Sequence, residues 1–252
     1  MSGSDTDLGN LANPVINAPY DPPAQHFQLG PDGTPTGILV AGRRPSQSFI
    51  PVPASKKGAK AQAALDFDET GERIEPNTLI NDVRREVALW RARNYPGATA
   101  ISRKLMLHWA DTARENRVLY CQREAAETAI FLAEVAGRHG TADYRTRLDP
   151  LNRDHNAGLP RVALKMATGT GKTVVMAMLV AWQTLNKVHT PQDARFTKRF
   201  LVLTPGITIR DRLRVLLPSD PGNYYRERDL VPADLWGGLG EAQIVIANYH
   251  QL

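Results

Sequence analysis

The stretch that decides the fold is Lys165-Met166-Ala167-Thr168-Gly169-Thr170-Gly171-Lys172-Thr173, two thirds of the way along this 252-residue chain. Its glycines predict a loop whose backbone N–H groups turn inward around an oligophosphate, with no side chains to block it. Lys172 would reach the β- and γ-phosphates, and the Thr173 hydroxyl would hold Mg²⁺. The phosphates would lie over a helix N-terminus, where unpaired N–H groups and the helix dipole favour negative charge.

Both flanks of this loop have the apolar patterns that a phosphate loop needs. Residues 161–165 predict a short buried strand, and the almost wholly apolar residues 174–185 predict a helix packed against a sheet. This order favours a phosphate loop over the alternative, a glycine-rich turn with an incidental lysine. The full pattern G-x-x-x-x-G-K-[ST] begins with glycine, where this chain has Met166, which argues against many small kinases and GTPases.

Composition excludes several classes of protein. Hydrophobic residues make up 42% of the chain, enough for a core, and the net charge of +5 is compatible with a polyanionic partner without requiring one. The single cysteine, Cys121, excludes an internal disulfide framework and predicts a reducing, cytoplasmic compartment. The sequence has no run of 18 apolar residues and no secretory signal, so no membrane contact is predicted.

Residues 1–77 predict a proline-rich extended arm. Half of the 18 prolines lie within the first 60 residues, and proline removes backbone donors and discourages helices. Short strands are predicted at residues 36–42 and 48–52. Residues 78–117 form a predicted helical segment, with helices expected at residues 77–94 and 98–115 on either side of the break at Pro96-Gly97.

Residues 118–252 alternate helices and strands, which predicts an α/β fold with a parallel sheet. A helix is expected at residues 121–136, a loop at 149–160, strands at 200–204 and 243–247, a helix at 207–217 and a loop at 218–240. Together with the strand predicted at residues 161–165, these strands would form a three-stranded parallel sheet. Such a sheet would lack helices on one side and would be poorly covered. The sequence therefore reads as the front part of a longer protein, or as a truncated one.

These motifs resemble those of superfamily 2 helicases and translocases. Residues 166–173 resemble motif I, most closely that of the motor (Res) subunits of type III restriction enzymes, and Tyr120-Cys121-Gln122-Arg123-Glu124-Ala125 is similar to their Q motif. Leu203-Thr204-Pro205-Gly206 and Ile246-Ala247-Asn248-Tyr249-His250 resemble two downstream motifs that face the nucleic-acid backbone in this family. The resemblance covers residues 118–252 and implies an incomplete RecA-like P-loop domain, preceded by the arm and the helical segment.

The resemblance also implies a set of site residues. In the Q motif the glutamine amide offers adenine a donor and an acceptor at once, which would be the role of Gln122. The alternative for Gln122 is a helix-start residue exposed to water, and the alternative for the arginines at 210, 212 and 214 is a solvated helix face. The implied ATP contacts are Gln122, Thr168, Gly169, Thr170, Gly171, Lys172 and Thr173, with Lys172 and Thr173 catalytic and Thr173 on Mg²⁺. The implied nucleic-acid contacts are Thr204, Pro205, Gly206, Arg210 and Asn248.

The function implied by the resemblance is that of an ATP-dependent DNA helicase or translocase in a restriction endonuclease. Such a motor needs an acidic DExx-type box, and the acidic run at residues 66–69 precedes the phosphate loop, so it comes in the wrong order. We therefore expect C-terminal motor and nuclease domains beyond this segment, a DNA-methyltransferase subunit as candidate partner, and little turnover by the segment alone. The alternatives are a nucleotide-gated interaction module without motor activity and a stand-alone P-loop kinase or small ATPase, against which Met166 argues.

Overall fold

The computed structural model describes residues 13–30, 33–51, 72–138, 140–155, 158–159 and 161–248. The chain divides into two compact units, Met1–Asp82 and Val83–Leu252. Within the described residues, the first unit contains two β-hairpins, and the second contains a helical layer followed by a small parallel sheet. The acidic run at residues 66–69 lies outside the described residues.

The hairpins of the first unit are antiparallel strand pairs. β1 (Gln25–Leu29) pairs with β2 (Pro35–Ala41), and β3 (Gln47–Pro51) pairs with β4 (Glu72–Pro76). The strands β2 and β3 confirm the predictions at 36–42 and 48–52, except that residue 52 lies outside the described residues. The sequence does not predict β1 and β4, because five residues with few apolar positions show no clear alternation.

Three helices form a layer in the predicted order. They are α1 (Thr78–Ala92), α2 (Ala100–Ala110) and α3 (Tyr120–Glu134), and their apolar faces supply buried core residues such as Trp90, Leu105 and Ile130. The helix predicted at 98–115 ends early. Asp111 has left the helical conformation, and its carboxylate accepts a hydrogen bond from the backbone N–H of Ala113 at 2.8 Å, which stabilises a turn instead.

A fourth helix, α4 (Tyr144–His155), occupies part of the loop predicted at 149–160, so that prediction is wrong for residues 149–155. Asp143 directly precedes α4, and its carboxylate accepts hydrogen bonds from the Thr146 hydroxyl at 2.6 Å and from the backbone N–H of Arg145 at 3.1 Å. These bonds, chiefly that from Thr146, hold the pKa of Asp143 below its usual range. They favour a helix start at Tyr144, and α4 continues through Pro150.

Residues 161–165 form no strand, so that prediction is also wrong. Among the described residues no neighbouring strand pairs with them. Asn152 of α4 instead makes both ladder-type bonds to the backbone of Arg161: its Oδ1 accepts from the N–H at 3.1 Å and its Nδ2 donates to the carbonyl at 3.2 Å. The chain then enters α5 (Lys172–His189), which confirms the helix predicted at 174–185.

The described part of the parallel sheet has two strands, β5 (Arg199–Thr204) and β6 (Gln243–Asn248), with Thr204 directly opposite Asn248. They confirm the strands predicted at 200–204 and 243–247 and the parallel sheet. One face of this sheet is half-buried. The other face leaves three apolar side chains at least half exposed, namely Leu201 at 57%, Leu203 at 50% and Val245 at 59%.

Short helices connect β5 to β6. α6 (Ile207–Arg212) tightens into a 3₁₀ turn at Leu213–Leu216, in agreement with the helix predicted at 207–217. The loop prediction for 218–240 is wrong where α7 (Tyr224–Glu227) and α8 (Trp236–Leu239) form, because helices of one turn are too short to show a 3.6-residue period. The Tyr225 hydroxyl is buried and donates to the Leu216 carbonyl at 2.8 Å, and burial raises the pKa of Tyr225.

A buried polar cluster fixes α5 against α2 and α3. Glu134 of α3 accepts hydrogen bonds from Nε1 of Trp182 at 2.7 Å and from the backbone N–H of Thr99 at 2.8 Å, and it also binds the Ser102 hydroxyl. Asn186 of α5 donates to the Ser102 hydroxyl at 2.9 Å. Because a buried carboxylate requires such donors, the cluster resists sliding of α5 along the layer, and so it positions the loop from which α5 begins.

Candidate nucleotide-binding site

Two glycines shape the loop that precedes α5. Gly169 (φ 80°) and Gly171 (φ 73°) both lie in the left-handed region, which costs other residues about 1–2 kcal/mol. A Cβ atom at Gly169 would meet nothing within 4 Å, whereas one at Gly171 would lie 2.3 Å from Nε2 of Gln122. Glycine is therefore required at 169 for conformation alone, and at 171 for both conformation and space.

The backbone amides of this loop lack hydrogen-bond acceptors within the described part of the chain. None of the N–H groups of residues 169–173 donates a hydrogen bond to another described residue. Those at the start of α5 have no intrahelical partner, and an 18-residue helix directs the positive end of its dipole at them. Thr168 and Gly169 are exposed and Thr170 is half-buried, so the donors lie at the surface. This arrangement is suited to an anion with several acceptor oxygens, as an oligophosphate has.

The ammonium group of Lys172 lies at the same loop. Lys172 is exposed, and its Nζ donates to the carbonyl of Ala167 at 2.8 Å. The Thr170 hydroxyl donates to the same carbonyl at 2.7 Å. The positive charge is therefore held beside the free amides, where it would add to their attraction for phosphate.

Thr173 has a suitable oxygen for Mg²⁺. It is the second residue of α5 and is half-buried, and no described residue forms a hydrogen bond with its hydroxyl. Magnesium in nucleotide sites keeps several waters and takes phosphate oxygens, so a single protein hydroxyl fits its requirements. The described residues contain no group of three or more His, Cys, Asp or Glu that could hold a metal. Thr173 is therefore the candidate magnesium ligand in the described part of the chain.

Gln122 contacts the phosphate loop directly. Its Nε2 donates to the Thr170 carbonyl at 2.9 Å, and its Oε1 accepts from the backbone N–H of Leu119 at 3.0 Å, which caps the start of α3. The side chain is buried, with 6% of its surface exposed. The structure thus brings Gln122 together with the predicted loop residues, but the contact is with the backbone carbonyl of Thr170 and not with a loop side chain. The contact with adenine stays a prediction, for which one amide proton and one lone pair remain.

A charged cluster that sequence reasoning missed supports α3 just after Gln122. The fully buried Glu127 accepts from Nε of Arg91 at 2.8 Å and from the Tyr95 hydroxyl at 2.7 Å. The guanidinium groups of Arg91 and Arg123 lie over the Tyr120 ring, 5.2 and 5.6 Å from its centre. Although burial opposes it, the bond to Glu127 raises the pKa of Arg91, and burial raises that of Tyr95. The sequence signal that could have revealed buried charge is the pair of glutamates at 127 and 134, which share a helix face with apolar residues.

The sheet edge, defined as Thr204, Pro205, Gly206 and Asn248, holds the predicted nucleic-acid contacts apart from Arg210. Thr204 and Asn248 are buried, with exposures of 3% and 6%, and parallel pairing places them side by side. The Thr204 hydroxyl donates to the Gly206 carbonyl at 3.0 Å, which stabilises the turn after β5. Pro205 is exposed and Gly206 is half-buried. Contact with nucleic acid stays a prediction for all these residues.

The arginines of α6 and its 3₁₀ extension differ in their partners. Arg210 pairs with its neighbour Asp211 at 3.2 Å, and Arg214 lies 3.8 Å from Asp220. Arg212 is exposed and forms no ion pair with another described residue. Arg212, which the sequence does not distinguish from its neighbours, therefore presents the most available positive charge in this helix.

The match to a protein family agrees with this site. The family described as "Type III restriction enzyme, res subunit" matches residues 115–252, more than half of the chain. The chain therefore belongs to this family of helicase-like proteins, as the motifs predict. No curated protein and no solved structure matches the chain significantly. Among the described residues, no helix has both the length and the apolar character needed to cross a lipid bilayer.

Proposed function

We propose that the chain binds Mg·ATP through residues 168–173, as part of a RecA-like motor domain. The observation that carries the proposal is the row of backbone N–H groups at residues 169–173 that donate to no described residue, set by two left-handed glycines at the start of α5. Backbone N–H groups at a helix start are held in fixed positions, so their spacing can match the fixed spacing of phosphate oxygens. Family membership supports ATP as the phosphate ligand.

The side chains of the loop take complementary roles in this proposal. The ammonium group of Lys172 leaves the Ala167 carbonyl and binds the β- and γ-phosphates, which are stronger acceptors because they are charged. Thr173 supplies one oxygen to Mg²⁺, which when bound neutralises charge on the phosphates. Gln122 is the proposed adenine contact. Hydrolysis further requires acidic residues for Mg²⁺ and for the attacking water.

The proposed work of this ATPase is translocation on DNA within a restriction endonuclease. Family membership supports this assignment, and the proposed DNA contacts are Thr204, Pro205, Gly206, Arg210 and Asn248. In open α/β sheets ligands bind beyond the carboxyl ends of the strands, which is where the sheet edge lies. The exposed Arg212 adds positive charge near it. The proposed partners are further motor and nuclease domains and a DNA-methyltransferase subunit.

One observation favours a second candidate, a nucleotide-gated interaction module without motor activity. The outer face of the β5–β6 sheet exposes Leu201, Leu203 and Val245. Parallel sheets are covered on both faces in nearly all proteins, so this face favours contact with another protein element. In this alternative, nucleotide binding would control docking and DNA would have no effect on turnover.

The first experiment measures binding of Mg·ATP to this chain by calorimetry. Lys172→Ala should weaken binding about 10- to 100-fold, the loss expected for charge-assisted hydrogen bonds to phosphate. Lys165→Ala is the matched control, because Lys165 is an exposed lysine just before the loop. Equal affinities of the two variants would overturn the proposed phosphate site.

The second experiment measures ATP turnover by the full-length protein, with and without duplex DNA. Stimulation by DNA that Lys172→Ala removes supports the translocase. Binding of nucleotide with no effect of DNA on turnover would favour the interaction module instead.

A further inference from the structure

We infer that Gln122 is a positioning residue of the phosphate loop, and that it supports the binding of any nucleoside triphosphate irrespective of its base. The inference rests on the proposed function, since it concerns how the same loop holds phosphate. It differs from the adenine contact, because a residue that aims the loop affects the phosphates of every nucleotide. Three observations on Gln122, Thr170 and Gly171 carry it.

The first observation is that both ends of the Gln122 amide are fixed. Oε1 accepts from the Leu119 N–H at 3.0 Å and Nε2 donates to the Thr170 carbonyl at 2.9 Å. Exchanging the oxygen and nitrogen would oppose two donors at one end and two acceptors at the other, so the partners themselves determine the amide orientation. The side chain is also buried, which makes each of these bonds costly to break.

The second observation concerns the peptide group between Thr170 and Gly171. It is trans, as are all the described peptide bonds, so its carbonyl and its N–H point in opposite directions in one plane. Because Gln122 holds the carbonyl of Thr170 toward α3, the N–H of Gly171 is aimed away from α3. That N–H is one of the free donors of the loop. Gln122 therefore determines the direction of a phosphate-binding group that it does not touch.

The third observation is the close approach at Gly171. A Cβ atom there would lie 2.3 Å from Nε2 of Gln122, so the contact exists only because residue 171 is glycine. A left-handed glycine on each side of Thr170 makes rotation of this peptide easy, since glycine adopts positive φ without strain. Without Gln122, nothing in the described side-chain contacts would hold the Thr170 carbonyl in one direction. The glutamine thus offsets the flexibility that the glycines introduce.

The test measures the dissociation constants of Mg·ATP, Mg·GTP and magnesium tripolyphosphate for the full chain and its variants. Gln122→Glu retains the oxygen that caps α3 but loses the donor to Thr170 and adds a negative charge. Gln122→Met and Gln122→Ala lose both polar groups without adding charge, so they show whether the charge alone causes the loss. We expect each variant to weaken the binding of all three ligands at least about fivefold, as for the loss of one buried hydrogen bond. Any further loss for ATP alone would report the proposed adenine contact. Gln183→Ala is the control, since Gln183 is a glutamine of α5 whose Oε1 accepts from the Thr197 N–H, outside the loop. It should leave all three constants unchanged.

Two results would overturn the inference. If Gln122→Glu weakens ATP alone and leaves GTP and tripolyphosphate unchanged, Gln122 reads the base. If it weakens none of the three, Gln122 only caps α3. Should Gln122→Ala fail to fold, Gln122→Met still decides between these outcomes, because it keeps a side chain of similar length and adds no charge. Failure of the proposed function is distinct, since the unaltered chain would then bind none of the three ligands.

Discussion

The phosphate loop and the sheet edge are both predicted from motifs, yet their polar groups are used differently. In the loop, the amides of residues 169–173 make no bonds to described residues, and Lys172 is exposed. At the sheet edge, Thr204 and Asn248 are buried, and the Thr204 hydroxyl is already bonded to Gly206. The comparison shows that motif residues can either face a ligand or hold in place the backbone that faces it.

The largest expected effect that sharpens this comparison is that of Gly171→Ala. The new side chain would be strained at φ 73° and would also meet Nε2 of Gln122 at 2.3 Å. We expect a greater loss of stability than the about 1–2 kcal/mol of conformational strain alone, and a loss of nucleotide affinity of about tenfold or more. Thermal unfolding and calorimetric titration with Mg·ATP measure the two effects.

Gly169→Ala is the matched control for this prediction, since it has the same strain but an open site with nothing within 4 Å. Its loss of stability should stay near the cost of strain. Combining Gly171→Ala with Gln122→Ala removes the clashing atom, so the two losses should be less than additive. Equal effects of the two glycine substitutions would contradict the close packing of Gln122 on the loop.

The next largest effect is expected at Thr173. Thr173→Ala removes the free hydroxyl at the second position of α5, and should weaken the Mg²⁺-dependent part of ATP binding about tenfold, or about 1.4 kcal/mol. Thr173→Ser retains the oxygen and should restore binding. In the presence of a chelator the three forms should bind ATP alike. A loss that persists without Mg²⁺ would show that Thr173 acts on the loop structure and not on the metal.

A smaller effect, on stability alone, is expected at the sheet edge. Thr204→Val keeps the shape of the side chain but removes its bond to the Gly206 carbonyl, at a cost of about 1 kcal/mol. DNA affinity should stay unchanged, because the Thr204 side chain is buried and its proposed contact with DNA would be made by its backbone. Thr112→Val serves as the control for stability, since Thr112 is exposed and its hydroxyl forms no hydrogen bond with a described residue. Weaker DNA binding by Thr204→Val without loss of stability would show that this edge opens to its ligand, and the contrast with the loop would disappear.

The loop and the strands β5 and β6 were predictable because their signals are local. A glycine pair followed by Lys172 and Thr173, or an apolar run such as residues 200–204, carries its structure within a few residues. The partners of Gln122 and Glu127 were not predictable, because Thr170 and Arg91 are distant in sequence and meet them only after packing. The strand expected at 161–165 failed for the same reason, since a strand needs a partner that the sequence of the strand does not specify.

The smallest expected effect compares Arg212 with Arg210. Arg212 is exposed without an ion pair to a described residue, whereas Arg210 is paired with Asp211 at 3.2 Å. Arg212→Ala should therefore weaken DNA binding about two- to fivefold and reduce the slope of log affinity against log salt by about one, while Arg210→Ala should do less. Fluorescence anisotropy on a labelled duplex at several salt concentrations measures both. If Arg210→Ala had the larger effect, Asp211 would have to release Arg210 on binding, and the arginines of α6, like Lys172, would exchange a protein partner for phosphate.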